Sequence, residues 1–228
     1  MLLVDTAATT EIRVALDNPA FSGFTTNPKL IAQAAGQDAL SYAAYRLFCE
    51  SLCGFAGEDP RVRHFMIQTI DAGAQTQELA SACLAQLAHA GSTAHAPALW
   101  IKLPPTLAHL RSINMLRGMG CKTLVTGVFT PAQALLAMES GADGVAVYFG
   151  RLLKNSPDWE RQLTCIVEIM REKKGLLLLA SLADLDLLTQ SLAYSRDMTL
   201  PPALIPKLMD AALSQTAMDE FAQRIASD

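Results

Sequence analysis

The sequence carries no surplus of positive charge. Its 228 residues include 18 Lys and Arg against 22 Asp and Glu, which gives a formal net charge of -4 at pH 7. Proteins that bind nucleic acid display a clustered basic surface, and the sequence has no basic stripe to form one. The N-terminal run Met1–Asp5 has no basic segment ahead of its apolar residues, so it does not resemble a signal peptide. These absences predict a cytoplasmic protein that binds neither nucleic acid nor membranes.

A long uncharged stretch does not indicate a membrane span. Leu79 to Ile101 contains no Asp, Glu, Lys or Arg. Polar residues and the breakers Gly91 and Pro97 interrupt it, so it predicts a helix, a loop and a strand.

The five cysteines form no pattern that indicates a metal or redox site. No two of them are arranged as CxxC, and the four histidines do not stand at the spacing of zinc ligands. Most of the cysteines lie in apolar helical surroundings, which favours reduced packing residues over disulfides. No metal site is predicted.

Short apolar runs alternate with helical patterns eight times along the chain. This alternation predicts a parallel sheet, and eight repeats in a chain of this length favour a closed (β/α)8 barrel. An open dinucleotide-binding sheet fits less well, because no Gly-rich phosphate-binding sequence follows the first strand. No linker divides the chain, so residues 1–228 are predicted to form one domain. Helices are predicted at Thr106–Met119 and Pro202–Leu213, and a helix at Thr216–Ala226 exceeds the needs of the barrel.

Polar residues recur where the predicted strands end. In a (β/α)8 barrel the carboxyl ends of the strands build the active site. The residues at these positions are Asp5, Thr25, Thr26, Asn27, Gln68, Lys102, Thr126, Tyr148, Arg151 and Ser181. They include a nucleophile, a proton shuttle, hydroxyl-binding groups and an anion anchor, which are the groups that Schiff-base carbonyl chemistry requires.

Lys102 ends the apolar run Ala98–Ile101. A lysine at the end of a buried strand either reaches solvent or is desolvated. Desolvation disfavours the ammonium and lowers its pKa, so that a neutral amine can attack a carbonyl carbon. Buried lysine is rare, so Lys102 taken alone is more often a solvated residue.

Several of the other residues have structural alternatives. Asp5 could cap a following helix, and Ser181 could cap the helix that begins near Asp184. Asn27 stands directly before Pro28, which is a common helix start with asparagine as the N-cap. The cap role does not exclude a second role at the rim of the barrel.

Two short segments, TTNP at residues 25–28 and IKLP at residues 101–104, are specific in their order and spacing. They are accompanied by Leu3–Thr6, Thr123–Thr126, Tyr148–Arg151 and Ala180–Ser181. On these segments the chain resembles the transaldolase family over nearly its whole length, and within it the small fructose-6-phosphate aldolase branch.

The resemblance implies five catalytic residues. Lys102 matches the Schiff-base lysine, and Asp5 matches the aspartate that holds a substrate hydroxyl and assists proton transfer. Thr126 matches the threonine that positions a catalytic water. Gln68 and Tyr148 match the aldolase branch, where true transaldolases have a glutamate and usually a phenylalanine.

The resemblance also implies a substrate-binding set. Asn27 and Ser181 match positions that bind substrate hydroxyls or phosphate, and Arg151 matches the phosphate-binding arginine. Thr26, which precedes Asn27 in the TTNP segment, is assigned to the same substrate-binding set. The family usually has Arg or Lys where this chain has Ala183, which weakens the expectation of a sugar phosphate. The residues directly after Arg151 also lack the family's usual acidic residue.

These features predict a class I aldolase that cleaves or forms a ketose or ketose phosphate with dihydroxyacetone as the three-carbon unit, without a metal or organic cofactor. The alternatives are a transaldolase, which passes the same unit between sugar phosphates, and a non-catalytic barrel that binds a sugar phosphate. Relatives in this branch form pentameric rings and decamers. The resemblance therefore implies a homo-oligomer in which the helix within residues 214–228 packs on a neighbouring subunit.

Overall fold

The computed structural model describes residues 1–90 and 96–224. Within these ranges eight parallel strands pair in sequence order and close into a barrel, with helices between successive strands. The predicted (β/α)8 barrel with an additional C-terminal helix is therefore confirmed. The strands are β1 (Leu2–Asp5), β2 (Phe21–Thr25), β3 (His64–Gln68), β4 (Ala98–Leu103), β5 (Lys122–Val128), β6 (Gly144–Tyr148), β7 (Leu176–Ala180) and β8 (Met198–Leu200). The helices are α1 (Thr9–Leu16), α2 (Pro28–Ala34), α3 (Tyr42–Glu58), α4 (Ala74–His89), α5 (Leu107–Leu110), α6 (Ile113–Gly118), α7 (Pro131–Glu139), α8 (Phe149–Asn155), α9 (Trp159–Lys173), α10 (Leu185–Ser191) and α11 (Ala212–Ala222).

The inside of the barrel has an apolar layer below a polar one. Six buried side chains from six strands form the apolar cluster, and they are Leu3, Met66, Trp100, Leu124, Ala146 and Leu178. Side chains alternate between the two faces of a strand, so the residue two positions further along also points inward. Five of those next residues are polar, and they are Asp5, Gln68, Lys102, Thr126 and Tyr148. The strand period therefore carries the polar side chains to the carboxyl-terminal end of the barrel.

The main hydrophobic core lies between the barrel and its surrounding helices. Phe24 on β2 stacks on Phe65 of β3, with ring centroids 5.7 Å apart, and meets Phe55 of α3 at 6.2 Å. The five cysteines are free, and four of them are buried, which confirms their interpretation as packing residues. Burial raises the pKa of the Cys121 thiol to about 11, so this thiol stays protonated at neutral pH.

Two predicted helices are wrong in detail. The helix expected over Thr106–Met119 is divided into α5 and α6, because the N–H of Ser112 bonds to the carbonyl of His109, three residues back, at 3.0 Å. Within the predicted helix Pro202–Leu213, only Ala212 and Leu213 are α-helical, as the start of α11, and the segment of residues 202–209 is not. It forms two 3₁₀ turns, and Pro206 accounts for the interruption because it lacks an N–H and its ring clashes with the preceding turn.

Two further predicted boundaries lie partly outside the described residues. The C-terminal helix α11 begins at Ala212, earlier than the predicted Thr216, and the predicted end at Ala226 lies outside the described residues. Part of the loop predicted between α4 and β4 falls on residues 91–95, which are also outside them. No helix within the described ranges has the length and apolar character to cross a bilayer.

Candidate active site

Lys102 lies inside the barrel and is almost completely desolvated. Its side chain projects from β4, the residue is 5% exposed, and its Nζ donates a hydrogen bond to the carbonyl oxygen of Thr26 at 2.8 Å. Burial lowers the pKa of Lys102 from its ordinary value, and the nearby Asp5 carboxylate opposes part of that shift. The residue therefore holds a larger share of neutral, nucleophilic amine than a lysine in water.

A cavity of about 100 Å³ opens around Lys102 at the carboxyl ends of the strands. Seven of the nine predicted site residues line it, and they are Asp5, Asn27, Lys102, Thr126, Tyr148, Arg151 and Ser181. The remaining lining residues are Ala146, Leu178, Ala180 and Thr199. The lining therefore combines a few small or apolar side chains with a carboxylate, hydroxyls, an amide and two basic groups.

Asp5 on β1 is held by a chain of hydroxyl groups from the two neighbouring strands, β2 and β8. The hydroxyl of Thr25 donates to Oδ1 of Asp5 at 2.7 Å, and Oγ1 of Thr199 lies 2.8 Å from Oγ1 of Thr25. Because Thr25 has one hydroxyl proton and gives it to Asp5, Thr199 is the donor to Thr25. The chain fixes the orientation of the Asp5 carboxylate toward the cavity that it lines.

Thr199 is a site residue that the sequence reasoning missed. It stands in β8 between Met198 and Leu200 and is buried, although its side chain is polar. A polar residue in the middle of a short apolar strand was the available signal. Threonine is a common strand residue, so this signal is weak without the contact to Thr25.

Tyr148 and Thr126 are in contact at the cavity, on the neighbouring strands β6 and β5. The hydroxyl of Thr126 donates to the phenolic oxygen of Tyr148 at 3.4 Å. Phe129 meets the tyrosine ring edge-on at 6.0 Å, and the guanidinium carbon of Arg151 lies 4.9 Å from the ring centroid. These contacts hold the ring on two sides and leave the phenolic group at the cavity.

Gln68 and Thr26 are beside Lys102 without lining the cavity. Gln68 pairs with Lys102 in the register of β3 and β4, and the carbonyl of Thr26 accepts the hydrogen bond from Lys102. Among the described residues, Oε1 of Gln68 and Oγ1 of Thr26 have no hydrogen-bond partner although both are buried. Buried polar atoms are nearly always satisfied, so these two can hold a water or a substrate hydroxyl.

Of the three residues that could cap a helix, one does so and two do not. Asn27 is the N-cap of α2, since its Oδ1 accepts the N–H of Leu30 at 3.1 Å, and it also lines the cavity. Asp5 is not a helix cap, because the N-cap of α1 is Ala8. Ser181 is not a cap either, because Asp184 caps α10.

The backbone of α8 packs closely against the end of β7. Ser181 adopts a left-handed conformation with φ of 65°, and a Cβ at Gly150 would lie 2.3 Å from the carbonyl oxygen of Ser181. Only glycine permits this approach of α8 to the end of β7. Since α8 was not predicted from the sequence, the structure shows that Arg151 reaches the cavity from a helix rather than from a loop.

Within the described ranges, no three His, Cys, Asp or Glu side chains come together as a possible metal site. The groups that surround the cavity are those of acid–base and nucleophilic chemistry, namely an amine, a carboxylate, a phenol and hydroxyls.

Solved structures share the fold at low sequence identity. A structure titled PaMucR phosphodiesterase in complex with c-di-GMP superimposes with a TM-score of 0.51 and 12% identity, over 69% of this chain and 67% of that one. A putative lactate oxidase from Pediococcus acidilactici gives a TM-score of 0.53 and 14% identity, over 88% of this chain and 62% of that one. At such identity the likeness concerns the barrel fold alone.

Two curated proteins with clear sequence similarity over nearly the whole chain carry the same name. A probable transaldolase from Chlorobaculum parvum is 27% identical over 222 residues, covering 96% of this chain and 94% of that protein. A probable transaldolase from Chlorobium phaeobacteroides is 30% identical over 229 residues, covering 98% and 95%. Residues 2–228 match the family described as Transaldolase/Fructose-6-phosphate aldolase. The chain therefore belongs to the transaldolase/fructose-6-phosphate aldolase family.

Proposed function

We propose that this protein is a class I aldolase in which Lys102 forms a Schiff base with the ketone of a dihydroxyacetone unit. The observation that carries the proposal is the desolvated amine of Lys102, which lies in a cavity small enough to suit a three-carbon unit. Burial lowers the pKa of Lys102, which favours the neutral nucleophile that this chemistry needs. The family match supports an enzyme of the aldolase or transaldolase kind.

In the cleavage direction, the Lys102 amine adds to the C2 carbonyl of a ketose, and loss of water gives a positively charged iminium. The iminium draws electrons from the bond between C3 and C4 as the hydroxyl proton on C4 is removed. The bond breaks, the C4 fragment leaves as an aldehyde, and the C1–C3 fragment remains on Lys102 as an enamine. Protonation at C3 and hydrolysis then release dihydroxyacetone and restore the amine.

The proposal assigns proton transfer to the phenol of Tyr148, supported by Thr126, whose hydroxyl donates to it. Asp5 is positioned to accept a hydrogen bond from a substrate hydroxyl, because Thr25 and Thr199 hold its carboxylate at the cavity. The unpartnered Oε1 of Gln68 is suited to hold the water that adds to the iminium.

A transaldolase is the second candidate, and the names of the curated relatives favour it. In that reaction the enamine on Lys102 attacks an acceptor aldose instead of being protonated. The resemblance of Gln68 and Tyr148 to the aldolase branch favours the aldolase. Free dihydroxyacetone is therefore to be measured with and without erythrose 4-phosphate, and turnover that strictly requires this acceptor would contradict the aldolase proposal.

Borohydride reduction tests the covalent step directly. We expect dihydroxyacetone and borohydride to add a three-carbon adduct to the peptide that contains Lys102, and Lys102→Met to abolish both the adduct and turnover. Lys122→Met is the matched control, because Lys122 lies over the ring of Trp100 and is not among the residues that line the cavity. Wild-type turnover in Lys102→Met would contradict the proposal and indicate a different nucleophile. Absence of both the adduct and turnover in the wild-type protein would favour the non-catalytic barrel that binds a sugar phosphate.

We further propose that the protein is a homo-oligomer in which α11 packs on a neighbouring copy. Met218 and Phe221 on α11 are 55% and 66% exposed, which is unusual for large apolar side chains on one helix. An apolar groove of about 260 Å³ between α1 and the 3₁₀ turns, lined by Val14 and Ile205, is a suitable acceptor. Sedimentation of Phe221→Asp should show smaller assemblies than the wild type, and unchanged sedimentation would contradict this arrangement.

A further inference from the structure

The loop after β7 is electrostatically unfavourable for binding a phosphate group. In (β/α)8 barrels a phosphate is frequently bound by the loops after the seventh and eighth strands together with a helix N-terminus. Here Oδ1 of Asp184 accepts the N–H of Leu187 at 2.8 Å, so a carboxylate already occupies the start of α10. Asp186 adds a second negative charge in the same turn. Both aspartates are exposed, and they would repel an anion at this position.

The loop after β8 offers few donors. Pro201 and Pro202 follow the strand directly, and proline has no N–H. The N–H groups of Leu204 and Ile205 already bond to the carbonyls of Pro201 and Pro202, at 3.0 and 3.1 Å. Neither of these loops contains Lys or Arg between the end of its strand and residue 187 or 205, respectively.

The cavity itself contains little positive charge for an anion. Among the described residues that line it, Lys102 and Arg151 are the basic ones, and the nitrogen of Lys102 is bonded to C2 of the substrate in the proposed mechanism, away from a phosphate at the far end of the sugar. Arg151 is exposed, and its guanidinium lies over the ring of Tyr148 at 4.9 Å. A single exposed cation is screened by water and salt, and the Asp5 carboxylate lines the same cavity.

Asp5 also lines a second, outer cavity of about 340 Å³. Its polar lining includes the carboxylate of Glu11 and the amide of Gln33. These groups accept or donate hydrogen bonds to hydroxyls, and the carboxylate disfavours a phosphate. The loop after β7 contributes Ser181 to the inner cavity of about 100 Å³, so a sugar longer than the three-carbon unit can extend toward this loop and its aspartates.

From this charge distribution we infer that the aldehyde handled at this site is an unphosphorylated polyhydroxy aldehyde, and that the ketose is accordingly a free sugar. The inference rests on the proposed aldolase function and specifies its substrate class. In the synthetic direction, the enamine carbon of the Lys102-bound unit attacks the aldehyde carbon. The new C–C bond forms, the aldehyde oxygen takes up a proton, and hydrolysis releases the ketose.

The test compares D-glyceraldehyde with D-glyceraldehyde 3-phosphate as acceptors of dihydroxyacetone. An arginine–phosphate hydrogen bond is worth roughly 10- to 100-fold in affinity, so a real phosphate site shows a preference of that order. We expect kcat/KM for the phosphorylated aldehyde to be lower than, or within about threefold of, that for the free aldehyde. A larger preference for the phosphorylated aldehyde overturns the inference.

A gain-of-charge variant sharpens the comparison. Ala183 is exposed in the loop after β7, so Ala183→Arg places a guanidinium there without crowding. We expect this variant to improve kcat/KM for the phosphorylated aldehyde about tenfold and to leave that for the free aldehyde unchanged. Gln190→Arg adds the same charge at the other end of α10 and should change neither value. If Ala183→Arg does not alter the ratio, the far end of the substrate does not meet this loop and the inference fails.

Borohydride trapping with dihydroxyacetone alone separates this inference from the function on which it rests. A Lys102 adduct together with a strong preference for the phosphorylated aldehyde overturns the substrate class and leaves the aldolase proposal in place. Absence of the adduct overturns both.

Discussion

The side-chain nitrogen of Lys102 donates its hydrogen bond to the carbonyl oxygen of Thr26, 2.8 Å away on the segment that follows β2. A carbonyl is a neutral acceptor, so this contact positions the amine without supplying the negative charge that would stabilise an ammonium. The nearby Asp5 carboxylate raises the pKa of Lys102, but burial lowers it by more. The result is a lysine that is held in place and kept ready to lose its proton.

The pH dependence of Schiff-base formation should report this lysine. Burial lowers the pKa of Lys102 below its ordinary value of 10.5. We therefore expect the rate of adduct formation to rise with pH and to reach its plateau before the pH reaches 10.5. The measurement is the initial rate of trapping with dihydroxyacetone between pH 5 and 10. A rate that keeps rising tenfold per pH unit up to about pH 10 would show an unshifted lysine.

Burial of Lys102 should also lower the free energy of unfolding at neutral pH. The folded protein releases the Lys102 proton at a lower pH than the unfolded chain does, since burial lowers the pKa only in the folded state. Between those two pKa values the unfolded chain binds more protons, so the free energy of unfolding decreases as the pH falls. Lys102→Met removes this penalty and should raise the free energy of unfolding at pH 7 by on the order of 1 kcal/mol. Urea unfolding of both proteins at pH 7 and 10 checks this, and a difference that does not shrink toward pH 10 would contradict it.

Tyr148→Phe should separate cleavage from transfer. The variant keeps the ring that contacts Phe129 and Arg151 and removes only the phenolic oxygen that accepts from Thr126. We expect kcat for the release of free dihydroxyacetone to fall by about 10²- to 10⁴-fold, the range of a lost general acid or base. Transfer to erythrose 4-phosphate should fall less, because the enamine then needs no proton at carbon. Tyr194→Phe is the control, since Tyr194 packs on Phe149 and Trp159 and is not among the cavity residues. Equal losses in both reactions would remove this role from Tyr148.

Thr199→Val should weaken catalysis through Asp5. Valine has nearly the shape of threonine but cannot donate to Thr25, so the hydroxyl chain to Asp5 loses its first member. We expect kcat/KM to fall roughly tenfold, the value of one hydrogen bond to a charged network. Thr199→Ser retains the hydroxyl and should restore most of the activity. A Thr199→Ser variant as impaired as Thr199→Val would point to packing rather than to the hydrogen bond.

The sequence by itself determined the barrel and most of its polar rim. Strand and helix patterns are local, and inward-facing residues recur at every second position of a strand, so Asp5, Lys102 and Tyr148 could be placed at one end of the barrel before any contact was known. The predicted N-cap at Asn27 rested on its neighbour Pro28 and is equally local.

The tertiary structure decided which contacts surround those residues. Lys102 is buried inside the closed barrel, and its nitrogen bonds to the carbonyl of Thr26, 76 positions earlier in the chain, a contact that no local pattern contains. Thr199 becomes part of the site only because β8 closes the barrel beside β1, which brings its hydroxyl to Thr25 across 174 positions. The amine's burial, the orientation of Asp5 and the charge of the outer cavity all arise from such long-range closure, so only the folded barrel could decide them.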